Sequence, residues 1–492
     1  MNLKILLINP PRVQGLPVVR EDRYEHRDLG AVYPPLSLLQ AAAVLRRDGH
    51  DVRVLDANGF DLGLEHVGRA LTEFAPHLVV SRLAFDCQEE DLKVLQLAKA
   101  CVPSCLTAVR NKIISEVPTL LEQCAGLPEV DVFVIGELDA VLPAVAQTLA
   151  DAWGEHAAPP LKELRAALKS DPGLFFKDGE GGFTNSGLCA LTNLDRAPFP
   201  AYDLLPSIAP YHTGVFDNRF AMIQTSRGCP FNCAFCAYAS EKFRPRDPLH
   251  VTEELRWLKQ DLGVANVLFF DDVLALSAER TRGLASTLIR ERVGMDWVAC
   301  TRANLVDTPT LKEMKASGCR ELAIGIESGS PEILKTTQKG VSLDDIRRCR
   351  ASCREADVLF YGMCIVGLPG ETEGTLKETL DFILEIDPFY TQFCFSTPFP
   401  NTEFYKWYES KGFLLTKDWS RYSPLAPEPV VRTEALSGED LKRLRRGLYK
   451  RLLMRPQYLL SKIKWSDPVW TLKNACKVGG RIMNTLSGKS IR

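Results

Sequence analysis

Apolar and polar positions alternate in two long series along this chain, and each series is typical of an α/β domain. In residues 1–150, five short apolar runs rich in β-branched residues are separated by stretches in which apolar positions recur every three or four residues. Runs of the first kind predict strands, and stretches of the second kind predict amphipathic helices. The predicted strands are 4–9, 51–56, 77–83, 105–109 and 130–135, and the clearest helices are 36–47 and 90–100.

This order predicts a Rossmann-like, doubly wound parallel sheet with helices on both faces. Ligands of such sheets bind beyond the carboxyl ends of the strands. Residues 10–35 leave that edge after the first strand, and a loop of this length inside a compact domain is usually functional. Pro10-Pro11 and Pro34-Pro35 stiffen it. We therefore expect a ligand site at this edge, with the loop able to cover it.

A second series of six strand and helix patterns occupies residues 206–415. The predicted strands are 221–225, 266–271, 297–301, 321–326, 359–366 and 392–396. Polar or glycine-rich residues follow most of them, at the edge where barrel enzymes carry their chemistry. Glycine and proline interrupt the pattern in residues 151–205, which predicts a linker with one helix and a hairpin. Residues 416–492 predict a basic helical region.

Composition is that of an ordinary globular protein with two or three domains. The chain has 492 residues, a net charge of -2 and an apolar fraction of 46%. Its 15 cysteines, an odd number without a secretory leader, favour a reducing compartment over a disulfide framework. No apolar stretch approaches the roughly 18 residues of a membrane helix. These features predict a cytoplasmic protein that does not bind nucleic acid.

The chemistry of the chain is concentrated in one loop. Cys229, Cys233 and Cys236 follow a predicted strand with spacings of three and two residues. A structural zinc site uses four protein ligands, whereas three thiolates on one loop suit a [4Fe-4S] cubane whose fourth iron is open. The alternative is that the three cysteines are buried or incidental.

The same loop carries a family resemblance. The CxxxCxxC spacing, with Phe235 before the last cysteine and Tyr238 after it, resembles the cluster loop of the radical S-adenosylmethionine (SAM) enzymes. In that family the open iron binds the amino and carboxylate groups of SAM. The six strands of the second series then suit the partial (β/α)6 barrel of the family.

The resemblance also implies roles for residues at the predicted strand ends. Carboxylates can accept hydrogen bonds from SAM, an arginine can pair with its carboxylate, and glycine turns let adenine approach the backbone. The implied SAM-binding residues are Tyr238, Asp271, Arg302, Glu327, Ser328, Gly367 and Gly370. The alternatives are helix caps for Asp271 and Asp272, a salt bridge for Arg302 and a capping carboxylate for Glu327. Four further cysteines could donate a hydrogen atom to a substrate radical, although core packing is the simpler interpretation: Cys300, Cys319, Cys364 and Cys394.

The first domain resembles the amino-terminal domain of the cobalamin-binding branch of these enzymes. Four short stretches carry the likeness: Asn9-Pro10-Pro11, Tyr33-Pro34-Pro35-Leu36, Gly49-His50 and Gly136-Glu137. Relatives commonly have a Gly-Gly-Pro turn after the fourth strand, where the corrin and its tail approach the backbone, but this chain has Arg110-Asn111-Lys112. The resemblance implies cobalamin as a further cofactor, and the departure leaves it open. His50 is either a helix-end group or a metal ligand.

The carboxyl-terminal segment differs from the rest in charge. Residues 441–492 carry about +13 and the other 440 residues about -15, from the total of -2. A leucine stripe runs beside the basic residues, with Trp465 and Trp470 beyond it. Such a helix can lie on an anionic membrane or dock on its own chain, and both interpretations stay open here.

The function implied by the resemblance is that of a radical SAM enzyme. The reduced cluster cleaves SAM to methionine and a 5'-deoxyadenosyl radical, which removes a hydrogen atom from the substrate. With cobalamin, this predicts a carbon methyltransferase acting on a natural product, lipid, pigment or peptide, supplied with electrons by a flavodoxin or ferredoxin. The alternatives are a non-methylating cyclase or rearrangement enzyme, and an iron-sulfur electron carrier or redox sensor without turnover.

Overall fold

The computed structural model describes residues 1–22, 25–27, 31–153, 159–178, 181–213, 216 and 219–454. They form two compact units. The first comprises Met1–Arg227 and Phe243–Phe270, and the second comprises Gly228–Lys242 and the chain from Asp271 onward.

A seven-stranded sheet dominates the first unit. Its strands, with a short hairpin of the 10–35 loop, are β1 (Lys4–Asn9), β2 (Val18–Val19), β3 (His26–Arg27), β4 (Asp51–Asp56), β5 (Leu78–Arg82), β6 (Leu106–Arg110), β7 (Val132–Val134), β8 (Leu174–Lys177) and β9 (Phe183–Asn185). The sheet order is β4-β1-β5-β6-β7-β8-β9, and β1 and β4–β7 run parallel. This is the flavodoxin-like doubly wound order, whose ligand edge lies where the order reverses, between β1 and β5.

Seven helices accompany these strands. They are α1 (Leu36–Arg47), α2 (Leu64–Phe74), α3 (Gln88–Cys101), α4 (Lys112–Ser115), α5 (Pro118–Ala125), α6 (Leu138–Trp153) and α7 (Leu161–Leu168). The expected doubly wound fold is confirmed, and β1, β4 and α1 have the predicted bounds. The apolar face of α1 is fully buried, as its helical pattern predicts.

The stretch 151–205, predicted as a linker with one helix and a hairpin, contains both elements. Its helix is α7 and its hairpin is β8–β9, but β8 pairs antiparallel with β7 and so continues the first sheet. Leu174 and Phe176 are buried, and the Phe175 ring stacks on Phe183 with 5.2 Å between centroids. Because these apolar residues complete the sheet's core, the first domain extends past residue 150.

The first unit also contains the start of the second series of strands. Its elements are β10 (Phe220–Ile223), β11 (Ser226–Arg227), β12 (Arg244–Pro245), α8 (Pro248–Gln260) and β13 (Asn266–Phe269). β10 and β13 run parallel, as in a βαβ unit with α8 as its crossover. β11 and β12 pair antiparallel on either side of the cysteine loop.

The second unit is built on four parallel strands in chain order. They are β14 (Asp296–Thr301), β15 (Cys319–Glu327), β16 (Leu359–Val366) and β17 (Tyr390–Phe395). The helices are α9 (Ala278–Arg290), α10 (Thr308–Ala316), α11 (Pro331–Thr336), α12 (Leu343–Glu355), α13 (Glu373–Ile386), α14 (Glu403–Ser410) and α15 (Gly438–Leu453). All six strands predicted for residues 206–415 are therefore present.

The basic carboxyl-terminal region is described only as far as residue 454. Within it, α15 buries Leu441, Leu448 and Leu452. The Arg445 guanidinium carbon lies 3.7 Å from the centroid of the Phe395 ring, and the Tyr449 hydroxyl accepts a hydrogen bond from the Phe393 N–H at 2.9 Å. This part of the leucine stripe thus packs on its own chain. Leu459, Trp465, Asp467 and Trp470 lie outside the described residues.

Among the helices described, none combines the length and the apolar character needed to cross a membrane. The cysteines of the described ranges form no disulfide bond.

Candidate active site

The cysteine loop, residues Gly228–Lys242, is closed at its base by backbone geometry. Gly228 has a φ of +86°, and a Cβ atom there would overlap the carbonyl oxygen of Lys242. Only glycine adopts this conformation without strain. The Gly228 N–H donates to an Asp272 carboxylate oxygen at 2.8 Å, so this strand-end acid orients the residue before Cys229. The N-cap of α9 is Ser277, so neither Asp271 nor Asp272 caps that helix.

Three hydrogen bonds to the main chain of the loop hold the rest of it. The Ala234 N–H donates to the Thr337 carbonyl at 3.0 Å, and the Ala234 carbonyl accepts from the Phe404 N–H at 3.1 Å. The Asn401 side-chain amide donates to the Ala237 carbonyl at 3.0 Å. On the loop, all three hydrogen bonds are made by backbone groups, whose pairing leaves no pattern in the sequence. The sequence therefore could not indicate these partners. They leave the three cysteines half-buried on a fixed loop.

Two of the three cysteine sulfur atoms accept hydrogen bonds. Arg302 donates from Nη1 to Cys233 Sγ at 3.4 Å, and the Tyr238 N–H donates to Cys236 Sγ at 3.4 Å. No three His, Cys, Asp or Glu side chains in the described ranges are gathered closely enough to hold a single metal ion. In a cubane each cysteine binds a different iron, so the sulfurs stand farther apart than the ligands of one ion. Three thiols on one loop, with donors aimed at two of them, fit a [4Fe-4S] cluster.

Arg302 lies at the loop and does not form the salt bridge that was the alternative to SAM binding. Its guanidinium stacks over the Phe231 ring, 3.7 Å from the centroid, and donates from Nη2 to the Lys339 carbonyl. Its side chain is 7% exposed, and no acid pairs with it in the part of the chain that the structure describes. Nε has no hydrogen-bond partner there, so one donor stays available to a bound group.

Glu327 ends β15 in a strained conformation. Its φ is +63°, and the pairing register with β16 shifts between Gly325 and Glu327. Strained residues and bulges at strand ends are frequent at functional sites. The Glu327 carboxylate pairs with Lys339 Nζ at 2.6 Å, and Nζ also donates to the Gly325 carbonyl at 2.7 Å. The sequence did not indicate Lys339, because its partners Glu327 and Gly325 lie on β15, at a distance along the chain.

Asp271 and Ser328 are both buried. Asp271 is 2% exposed. The Ser328 hydroxyl lies 3.1 Å from the Thr379 hydroxyl of α13 and accepts from the Ser330 N–H at 3.2 Å. The Ser328 side chain is therefore engaged in joining β15 to α13. A role toward SAM stays a prediction for both residues.

The turn Gly367–Gly370 is shaped by a buried acid. Gly367 and Gly370 have φ values of +92° and +79°. A Glu371 carboxylate oxygen accepts the Gly367 N–H at 2.5 Å, and the Tyr408 hydroxyl donates to the Gly367 carbonyl. Burial raises the pKa of Glu371 to about 8. The turn is thus held by its own chain, and its two glycines supply the positive φ values that it requires.

The four additional cysteines are buried or half-buried, as the packing interpretation expects. Burial raises the pKa of Cys319 and Cys364 well above the usual value and that of Cys394 to about 12. They are neutral thiols. Cys300 packs in β14.

The ligand edge of the first unit is filled by the 10–35 loop. Arg20 forms a buried ion pair with Asp91 at 2.7 Å and donates to the carbonyls of Pro10 and Pro11. Asp22 accepts from Arg82 at 2.6 Å and from Arg110 at 2.5 Å. Burial disfavours the Asp22 carboxylate, but the two arginines outweigh burial and hold its pKa well below the usual range.

Two further loop acids are buried at this edge. Glu25 accepts from the Asn111 amide at 2.8 Å and from the Phe85 N–H at 3.0 Å. Burial raises the pKa of Glu25 to about 8 and that of Glu21 to about 7. Arg110 and Asn111, which replace the small residues of the family turn, are therefore occupied by loop carboxylates. Lys112 pairs with Glu116 at 2.6 Å.

Other features of the edge suit a bound group. A small cavity is lined by Asn9, Val18, Val19, Arg20, Glu21, Tyr33, Pro34 and Pro35. Arg82 Nη1 is buried and has no hydrogen-bond partner among the described residues. An unsatisfied buried donor is costly unless a ligand or water completes it. His50 takes no part, because its Nδ1 accepts the Leu3 N–H at 3.4 Å beside the amino ends of β1 and β4.

Residues 223–383 match the family described as the Radical SAM superfamily. The matched segment contains the three cysteines and all seven residues that the resemblance implies for SAM binding. The chain is 27% identical over 94% of its length to an uncharacterized methyltransferase of Pyrococcus horikoshii, of which it covers 95%. It is also 27% identical over 78% of its length to a hopanoid C-3 methylase of Methylococcus capsulatus, of which it covers 70%.

Two solved structures share the whole fold. The radical SAM methyltransferase TsrM from Kitasatospora setae, with cobalamin and a [4Fe-4S] cluster bound, gives a TM-score of 0.68 at 17% identity, and 99% of each chain is covered. The cobalamin-dependent radical SAM enzyme OxsB, with aqua-cobalamin and SAM bound, gives 0.74 at 14% identity, covering 99% of this chain and 72% of that one.

Proposed function

We propose, on the premise that this chain belongs to the cobalamin-binding branch of the radical SAM enzymes, that it is a carbon methyltransferase acting on a small or lipid-like molecule. The observation that carries the proposal is the cysteine loop, which carries three half-buried thiols and is held by Asp272, Arg302 and hydrogen bonds to its main chain. The flavodoxin-like sheet in the same chain supports the cobalamin branch.

Cys229, Cys233 and Cys236 would hold the cluster, which when bound supplies one electron for the reductive cleavage of SAM. Arg302 holds Cys233 and the loop residue Phe231 in place. A cation and hydrogen bonds close to the sulfurs raise the reduction potential of a cluster. Tyr238 and the Gly367–Gly370 turn would position SAM.

Glu327 would accept a hydrogen bond from the SAM ammonium or ribose. Its ion pair with Lys339 and its strained backbone fix the direction of the carboxylate. We expect E327Q to weaken SAM binding about tenfold while iron content stays unchanged, because the residue acts through SAM. The control is Glu313→Gln on α10. Unchanged SAM affinity in equilibrium dialysis would return Glu327 to a structural role.

The edge between β1 and β5 would hold cobalamin, which when bound supplies a transferable methyl group. Two features of this edge support a ligand there: the buried donor Arg82 Nη1 and the small cavity that Tyr33 helps to line. The carboxylates on Arg110 and Asn111 would have to move for the cofactor tail to follow the backbone. This closed turn also supports the second candidate, a cyclase or rearrangement enzyme that does not transfer a methyl group.

The deciding experiment uses the full chain, purified and reconstituted without oxygen, with and without hydroxocobalamin. We expect cluster absorption, corrin absorption that survives desalting, and release of both 5'-deoxyadenosine and S-adenosylhomocysteine from SAM with a reductant. Corrin that washes out while 5'-deoxyadenosine still forms would favour the cyclase candidate. A cluster without any SAM cleavage would contradict the proposal and favour an electron carrier.

Cytoplasmic localisation, a flavodoxin or ferredoxin as electron donor and peripheral membrane contact are also proposals. The internal packing of α15 supports docking on the chain itself rather than on a membrane, as far as residue 454.

A further inference from the structure

The two strands that flank the cysteine loop place like charges opposite each other. In the β11–β12 pair, Arg227 faces Arg244. Their side chains are only 10% and 14% exposed. Like charges directly opposite in an antiparallel pair repel each other, and burial strengthens the repulsion because water screens it less. The base of the loop therefore needs an acid.

That acid is Glu137, which lies between the carboxyl end of β7 and the start of α6. One of its oxygens accepts from Arg227 at 2.7 Å, and the other pairs with Arg244 Nη2. Arg244 also reaches the first oxygen at 3.3 Å. A single carboxylate thus bridges both arginines.

The two arginines depend on Glu137 unequally. Arg227 has a second acid, because Asp139 accepts from its Nη1 and Nη2 at 3.0 and 2.9 Å. Arg244 has only a carbonyl as its other partner, that of Thr192 at 3.1 Å. Within the described residues, Glu137 is therefore the acid that pairs directly with Arg244.

We propose that Glu137 is a positioning residue for the iron-sulfur cluster. By bridging Arg227 and Arg244 it keeps the base of the Gly228–Lys242 loop closed, so that all three cysteines stay within reach of one cluster. The inference rests on the proposed function, since it presupposes that the loop binds the cluster. It gives the Gly136-Glu137 pair of the first domain a physical role in the chemistry of the loop.

The test compares E137Q, R244Q and E137Q/R244Q as reconstituted full-length proteins. Cluster release to an iron chelator is followed optically, and the reduced cluster is examined by electron paramagnetic resonance with and without SAM. Loss of an outer partner typically weakens metal binding by about tenfold or more, so we expect E137Q to release its cluster about tenfold faster than wild type. Glu90→Gln, which removes an exposed partner of Lys93 on α3, is the matched control.

The double variant separates charge balance from general damage. R244Q removes the repulsion, and in E137Q/R244Q the remaining Arg227 is still paired with Asp139, so the double variant should recover much of the wild-type retention and spectrum. Release from E137Q at the wild-type rate, or a double variant no better than E137Q, would overturn the inference. If E137Q does not fold, R244K decides: its lysine keeps the charge but cannot contact both Glu137 oxygens as a fork, so it should release its cluster faster than wild type, and release at the wild-type rate would overturn the inference. A wild-type protein without any cluster would instead refute the proposed function.

Discussion

Charged side chains gather at the carboxyl ends of parallel strands in both units, but they are used differently. In the first unit, side chains of the 10–35 loop form ion pairs with the charged residues at this edge. Asp22 pairs with Arg82 and Arg110, and Arg20 pairs with Asp91. In the second unit the strand-end residues reach the cysteine loop instead, as when Arg302 contacts Cys233. A polar strand end thus predicts where a site lies, and its partners decide whether the charge serves the ligand or the fold.

The comparison is sharpest where the cysteines themselves are removed. Replacing Cys229, Cys233 and Cys236 by Ala should abolish the cluster and reductive SAM cleavage, because no other described cysteine shares the loop. Iron content, the optical spectrum and 5'-deoxyadenosine formation measure this. The matched control is Cys124→Ala, a buried cysteine of the first unit. Full 5'-deoxyadenosine formation by the triple variant would refute the radical SAM chemistry.

A second prediction tests whether the first edge is structural. R20A leaves the buried Asp91 carboxylate without its cation, which should destabilise the first unit by about 3–5 kcal/mol. Among the described residues, the Asp91 carboxylate then keeps only the Ala84 N–H as a donor, 2.7 Å from its oxygen. Chemical denaturation of wild type and variant measures the difference. R46A, which breaks the exposed pair with Asp203, should cost about 0–1 kcal/mol, and equal losses in the two variants would contradict a special role for the buried pair.

A third prediction separates two roles for Arg302. R302K keeps the charge but loses the planar stacking on Phe231 and the fork that reaches Cys233 and Lys339. If Arg302 acts on the cluster, the spectrum and potential of the SAM-free cluster should change and cleavage should fall about tenfold. If Arg302 binds the SAM carboxylate, only SAM affinity should fall. A variant unchanged in both respects would place Arg302 outside the site.

Much of the fold could be predicted because strand and helix patterns are local. β1, β4, α1 and β16 have the expected bounds, since each is a continuous apolar or amphipathic run. The hairpin β8–β9 was assigned to a linker because a short strand shows no sign in its own sequence of which edge it will join. The radical SAM resemblance and the fold were predicted from the cysteine spacing and the domain order; residues 223–383 match the Radical SAM superfamily, and the fold is shared with TsrM.

The site was predictable in position but not in its pairings. Spacing alone indicated the three cysteines, and strand ends indicated Arg302 and Glu327. The partners could not be found, since Asp22 meets Arg82 and Arg110 across 60 and 88 residues of chain. Lys339 was missed for a related reason. Its burial after α11 is visible only in the structure, and its role comes from the ion pair with Glu327 at the end of β15.

The smallest expected effect concerns Glu371, whose carboxyl group accepts the Gly367 N–H and so holds the Gly367–Gly370 turn. Its pKa is about 8 in the folded chain and 4.5 at its ordinary value, because burial disfavours the charged form. Between these values the folded state binds a proton that the unfolded state has released, so stability falls as pH rises from 4.5 to 8 and levels off above. E371Q removes this contribution while its amide oxygen can still accept the Gly367 N–H. We therefore expect the melting temperature of wild type to fall between these pH values by a few degrees more than that of E371Q. Glu25 contributes in the same direction in both proteins and cancels in the difference. Parallel melting curves for the two proteins, with E355Q on the surface of α12 as control, would show that Glu371 is already ionised in the folded turn.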